Sequence, residues 1–158
     1  MKNIILFAVL SSCFNGLAQA GSQPASSNVP GAEYPRIDSD QKITFRLQAP
    51  NAKKVQVYFG EKTLDMVRDK DGFWSLTTPP AVPGFHYYWF VIDGVAVSDP
   101  SSETYFGWGK QTSGIEVPEK GVDFYLAKNV PHGEVRARWY HSRYTGQWRR
   151  AYLYTPPG

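Results

Sequence analysis

The stretch Phe85-His-Tyr-Tyr-Trp-Phe-Val-Ile-Asp-Gly94 decides the fold, together with the Val95-Ala-Val-Ser-Asp-Pro100 that follows it at once. Aromatic and β-branched residues fit a pleated, half-buried surface. Asp93-Gly94 suits a two-residue hairpin turn, because both residues tolerate positive φ. The length and aromatic content of this strand predict a place at the centre of a sheet. Outward from it the same texture recurs. Ile43, Phe45 and Leu47 point one way while Thr44 and Arg46 point the other, as in a half-buried strand. Ala49-Pro-Asn-Ala52 interrupts, and Val55-Gln-Val-Tyr-Phe59 resumes the alternation.

Thr63-Leu-Asp-Met66 reads as a short strand, and Asp69-Lys-Asp-Gly72 as a turn that launches Phe73-Trp-Ser-Leu-Thr77. Thr78-Pro-Pro-Ala-Val-Pro-Gly84 lacks the donors for a regular ladder and reads as a loop. Short strands at regular spacing, turn chemistry between them and no helical period beyond the first residues predict an all-β, immunoglobulin-like β-sandwich.

The 158 residues have room for one domain plus tails, and 42% hydrophobic with 15% aromatic content supplies a core. A net charge of +3 is too small and too scattered for a nucleic-acid footprint. The local run Arg136, Arg138, Arg143, Arg149 and Arg150, interleaved with Trp139, Tyr140, Tyr144, Trp148, Tyr152 and Tyr154, reads as a hairpin with arginines on its solvent face. A base-stacking groove is the competing reading, and no nucleic-acid partner is expected.

Residues 1–20 have the layout of an export signal: Lys2, an apolar Ile4–Leu10, and Ala18-Gln-Ala20 as a small-x-small cleavage site. Leu10-Ser-Ser-Cys13 also has the form of a lipobox, which makes Cys13 a lipidation candidate. The expected location is secreted or periplasmic in the first case and that of a lipoprotein in the second. The run is too short for a transmembrane helix. Cys13 is the only cysteine, so no disulfide, no cysteine metal site and no cysteine nucleophile is expected in the mature domain.

Residues 21–40 are rich in Ser, Pro, Gly and Ala and read as a linker, although Val29–Ile37 carries enough apolar residues to dock along a sheet edge. The sandwich is expected over 41–128. Ser101–Gly114 reads as a loop, with Ile115-Glu-Val117 and Val122-Asp-Phe-Tyr125 as short strands. Val135–His141 and Trp148–Thr155 form a hairpin, which is marginal in water by itself. It is assigned, within 129–158, to the opening of a following domain.

Residues 43–100 resemble the glycogen- and starch-binding modules of family 48 through Phe45-Arg-Leu with Ala49-Pro-Asn, Asp71-Gly-Phe-Trp74, Pro83-Gly84 and Phe90-Val-Ile-Asp-Gly with Asp99-Pro100. The resemblance implies an immunoglobulin-like fold. It also implies three sugar contacts, and the chain departs from all of them. The first loop is shortened to Phe59-Gly-Glu-Lys-Thr63 without a Trp, Trp89 stands at the Lys position, and the later Trp position falls near Ala96.

Over residues 29–158 the chain is similar to the N-terminal half of secreted bacterial esterases of the feruloyl and acetyl-xylan type, carbohydrate-esterase family 1. In those proteins such a module precedes an α/β-hydrolase, whose first strands Val130–Tyr140 and Trp148–Gly158 resemble. The implied partner is the chain's own C-terminal esterase domain, with plant cell-wall polysaccharide as a second. The hydrolase nucleophile would sit in a Gly-x-Ser-x-Gly elbow, and no such run occurs in these residues. No catalytic residue is therefore assigned.

Trp74, Tyr88 and Phe90 are expected in the core. Tyr87 and Trp89 project from the other face, either to stack a sugar ring or to be covered by a neighbouring domain. Tyr105, Phe106 and Trp108 form the best candidate functional loop, with a plug that seals the sandwich end as the alternative. His86, His132 and His141 lack zinc spacing, and no metal or other cofactor is expected. The expectation is a non-catalytic accessory module of an exported esterase. A free-standing glycan-binding module and a structural spacer are the alternatives.

Overall fold

The computed structural model describes residues 21–158. The expected export signal and Cys13 lie outside them. The chain divides into two compact units at Gly121 and Val122.

The first unit is an immunoglobulin-like β-sandwich of two antiparallel sheets. One sheet has the order β1 (Gln23–Pro24), β2 (Arg36–Ile37), β3 (Ile43–Gln48), β7 (Phe73–Thr77) and β6 (Val67–Arg68). The other runs β10 (Thr104–Gly107), β11 (Lys110–Val117), β8 (Gly84–Ile92), β4 (Val55–Phe59) and β5 (Lys62–Asp65). In this sheet β8 is central: on one side it pairs with β4, and on the other with β11 along its first half and β9 (Val95–Val97) along its second.

The alternation seen in the sequence sets the core. Ile43 and Phe45 from β3, Val55 and Val57 from β4, Tyr88 and Phe90 from β8, and Ile115 and Val117 from β11 are fully buried. The Phe45 ring lies 4.9 Å from that of Tyr88, 5.7 Å from Phe59 and 6.4 Å from Phe90. Burial of each such side chain stabilises the fold by about 1.5–3 kcal/mol. Trp74 is buried as well, and its Nε1 donates to Ala49 O at 2.9 Å. Across the same corner a Cβ at Gly72 would crowd Pro50. Ala49-Pro50 and Gly72-Phe-Trp74 are thus one docked corner.

Asp93 (φ 47°) and Gly94 (φ 90°) form the expected turn between Ile92 and Val95. Its carboxylate does a second job, since Oδ1 accepts from the backbone of Lys53 at 3.0 Å and Lys54 at 2.8 Å. At the other end of β9, buried Asp99 accepts a 2.7 Å hydrogen bond from the Tyr88 hydroxyl and one of 2.8 Å from Ser101 N. Burial raises the Asp99 pKa above the usual carboxylate range. Burial, and then the Asp99 charge, raise that of Tyr88.

Three stretches differ from their expected form. Residues 21–40 are not a free linker: β1 and β2 extend the first sheet from β3, and Ala25, Ser27, Pro35 and Ile37 are buried. Their Ser/Pro/Gly composition hid two-residue strands too short to show a period. Residues 101–114 are not a loop but contain the β10–β11 hairpin, with Trp108-Gly109 as its turn. Residues 122–125 form turns rather than a strand, closed by Leu126 N to Asp123 O and by a Lys128–Asp123 ion pair of 2.8 Å.

In the second unit β12 (Glu134–Ser142) and β13 (Gln147–Thr155) pair over their full length as a two-stranded sheet. Register places Val135, Trp139, Trp148, Tyr152 and Tyr154 on one face with Arg150, whose guanidinium lies 5.6 Å from the Trp139 ring and 4.9 Å from that of Tyr152. All five apolar residues are exposed.

Candidate functional site

Successive β8 side chains alternate, so burial of Tyr88 and Phe90 puts Phe85, Tyr87 and Trp89 on the outer face of the sheet. Pairing then brings partners beside them: Tyr58 opposite Trp89 on β4, and Gly114 opposite Tyr87 on β11. The face carries two aromatic groups.

The first group is built on Trp89. The Tyr58 ring stacks on it at 4.0 Å with an interplanar angle of 7°. Lys110 Nζ sits 4.1 Å from the Trp89 ring centroid. Lys110 is on β11, on the other side of β8 from Tyr58, so the indole is held between a phenol and an ammonium. Trp108 meets both rings edge-on, 6.3 Å from each, and is 64% exposed.

Trp108 has φ 56° in the β10–β11 turn. A left-handed conformation costs a bulky L-residue about 1–2 kcal/mol, and Asn or Gly is the usual occupant of this turn. An exposed tryptophan there recovers little by burial, and strain of this kind accumulates at binding and catalytic sites.

The second group packs over two glycines of the sheet. A Cβ at Gly107 would come within 2.5 Å of the Tyr87 ring. A Cβ at Gly114 would collide with Phe85 and Tyr105. Two missing side chains therefore make the bed on which these rings rest. Phe85 meets Tyr105 at 4.9 Å and Tyr87 at 5.2 Å, both edge-on. The Tyr105 hydroxyl donates to Glu103 Oε2 at 3.2 Å, and burial followed by the Glu103 charge pushes its pKa up, so it stays neutral.

Of the candidates read from the sequence, Trp89 and Trp108 come together, and Tyr87 and Tyr105 join through Phe85. Phe106 departs from them. It pairs with Gln111, alternates to the opposite face from Tyr105 and is 77% exposed. Tyr58, Lys110, Phe85 and the two glycines escaped sequence reasoning. Tyr58 is the outward residue between core-facing Val57 and Phe59, but its place beside Trp89 exists only through β4–β8 pairing.

The three histidines are held in local contacts. Among the described residues no cluster of three His, Cys, Asp or Glu is placed to hold a metal ion. His86 Nε2 donates to Val82 O at 2.7 Å, and His132 Nε2 to Lys128 O at 2.6 Å. His141 packs edge-on against Trp148 at 5.8 Å. No described helix is long and apolar enough to cross a membrane.

The chain is 41% identical over 140 residues to an endo-1,4-beta-xylanase/feruloyl esterase of Xylanibacter ruminicola, an alignment that covers 85% of this chain and 19% of that protein. It is 28% identical over 141 residues to the 1,4-alpha-glucan branching enzyme of a Shewanella species, covering 83% of this chain and 17% of the enzyme. The chain therefore spans less than a fifth of the length of either relative. Among solved structures, the enterobactin esterase of Shigella flexneri superposes with a TM-score of 0.51 at 19% identity, over 70% of this chain and 39% of that one, a likeness of fold. No protein-family profile matches the chain.

Proposed function

We propose that this chain is the non-catalytic accessory region of an exported esterase that removes feruloyl or acetyl groups from plant cell-wall polysaccharide, and that the outer face of its larger sheet holds the glycan. The similarity to a xylanase/feruloyl esterase supports the parent assignment, since this chain matches 19% of that protein and has no Gly-x-Ser-x-Gly run of its own. In this reading 1–20 direct export, the sandwich takes in the short strands of 21–40 together with the residues that follow them, and 129–158 open the hydrolase, where a Ser-His-Asp triad does the chemistry. The exposed aromatic face of β12–β13 suits strands that are completed by such a neighbour. Docked there, the module shapes or extends the substrate cleft.

The glycan assignment rests on Trp108, an exposed indole held at positive φ beside stacked Tyr58 and Trp89. Its face is available for the CH groups of a sugar, whereas Trp89 has both faces covered. Affinity electrophoresis of the whole chain in xylan, arabinoxylan and starch gels tests it. Retardation on xylans that disappears in Trp108→Ala, with none on starch, is the expected result. Free migration on every glycan would leave a spacer. Sequencing the gene past codon 158 tests the parent, which requires a downstream Gly-x-Ser-x-Gly elbow.

A further inference from the structure

The charge on the platform has no counter-ion. Lys110 Nζ lies against Trp89, and among the described residues no carboxylate pairs with it. The carboxylates of this region are engaged or distant. Asp65 holds Lys54 Nζ at 3.2 Å and the Gln56 amide at 2.7 Å. Glu103 accepts from Tyr105. Glu116 lies six positions along β11 from Lys110, roughly 20 Å at the rise of a strand.

The ring holds one side of the ammonium and leaves N–H donors directed away from it, two residues from the exposed Trp108 in the same hairpin. A neutral sugar laid on Trp108 would displace water from that ammonium and offer only hydroxyls in return. A carboxylate would satisfy it with a charge-assisted bond. The Trp89 ring already holds the Lys110 ammonium against it, so less side-chain freedom is lost on pairing.

We propose that the platform takes an acidic glycan: a xylan chain whose glucuronate branch places its carboxylate on Lys110 while a sugar ring lies on Trp108. This deepens the glycan-binding reading above and rests on it. The uronate is the anion that a plant cell-wall xylan presents beside a flat sugar face, and the site has one cation and one free indole face to match.

The test compares binding of the whole chain to glucuronoxylan and to the same polymer after reduction of its carboxyl groups. Binding to the native polymer is expected to be about two- to fivefold tighter, the size of one partly exposed ion pair. The difference should vanish near 1 M salt, where the screening length falls to about 3 Å. Lys110→Met, which keeps an aliphatic cover on Trp89, should abolish the difference and Lys110→Arg should keep it, with thermal melts checking that both variants fold. Should Lys110→Met unfold, the reduced polymer carries the test on the unmutated chain. Equal affinity for the two polymers overturns the proposal and leaves the glycan platform standing. No binding to either removes the platform with it.

Discussion

Gly107 lies beneath the ring of Tyr87, so close that a Cβ there would stand 2.5 Å from two ring carbons. No positive φ requires this glycine, so its absent side chain serves the ring rather than the backbone. The Tyr87 ring covers this glycine in place of a side chain.

Gly107→Ala should tilt Tyr87 off the sheet and destabilise the sandwich by about 1–3 kcal/mol, the range for overpacking. Tyr87→Ala in the same chain should remove most of that loss. Urea unfolding of the two single variants and the double variant measures the coupling, and additive losses would show that the ring and the glycine are independent.

Trp108 sits where asparagine is at ease. Trp108→Asn should therefore leave stability unchanged or raise it by up to about 1 kcal/mol, since the left-handed strain is relieved. Retardation on xylan should be lost in the same variant. A clear fall in melting temperature would instead assign Trp108 to packing.

Asp99 titrates at the expense of the fold. Its folded pKa is raised by burial above the ordinary value of 3.8. The folded state thus binds this proton more tightly, so the contribution is fully present below pH 3.8 and is lost as pH rises through the folded value. The Tyr88 hydroxyl opposes that shift with its hydrogen bond. Tyr88→Phe should cost about 1–3 kcal/mol at pH 7 and distinctly less near pH 3.5, where Asp99 is protonated. Unfolding free energies at the two pH values check this, and an equal loss at both would mean that Asp99 is already neutral at pH 7.

Asp93 joins two turns through its carboxylate. Asp93→Ala removes both acceptors and places alanine at positive φ, and should destabilise by about 1–3 kcal/mol. Asp93→Asn keeps one acceptor and the tolerance of that φ, and should lose less than half as much. Chemical denaturation of the pair gives the ratio.

The legibility of the fold follows the strength of the local signal. The strand Gly84–Ile92 and its Asp93-Gly94 turn are legible from aromatic content and turn chemistry, the core places of Trp74, Tyr88 and Phe90 from their size, and that of Phe45 from the alternation of β3. The β10–β11 hairpin is not, because Gly107, Gly109, Gly114 and the Thr-Ser pair dilute the alternation and a tryptophan holds the turn position that normally advertises itself as asparagine. The same dilution hid the platform. Phe106 was grouped with Tyr105 and Trp108 by nearness in sequence, whereas strand alternation turns it away. Lys110 had no local mark at all, since its place against Trp89 arises from the pairing of β11 with β8.

Strand β8 carries Tyr87 and Trp89 on one side and Tyr88 and Phe90 on the other, residue by residue. Whatever is held outside is therefore fastened to the same backbone that anchors the interior, and opening of the core dismantles the exterior with it. A ligand on the aromatic face would be linked to unfolding, raising stability with the logarithm of its concentration relative to Kd, so a simple heat ramp would read its binding.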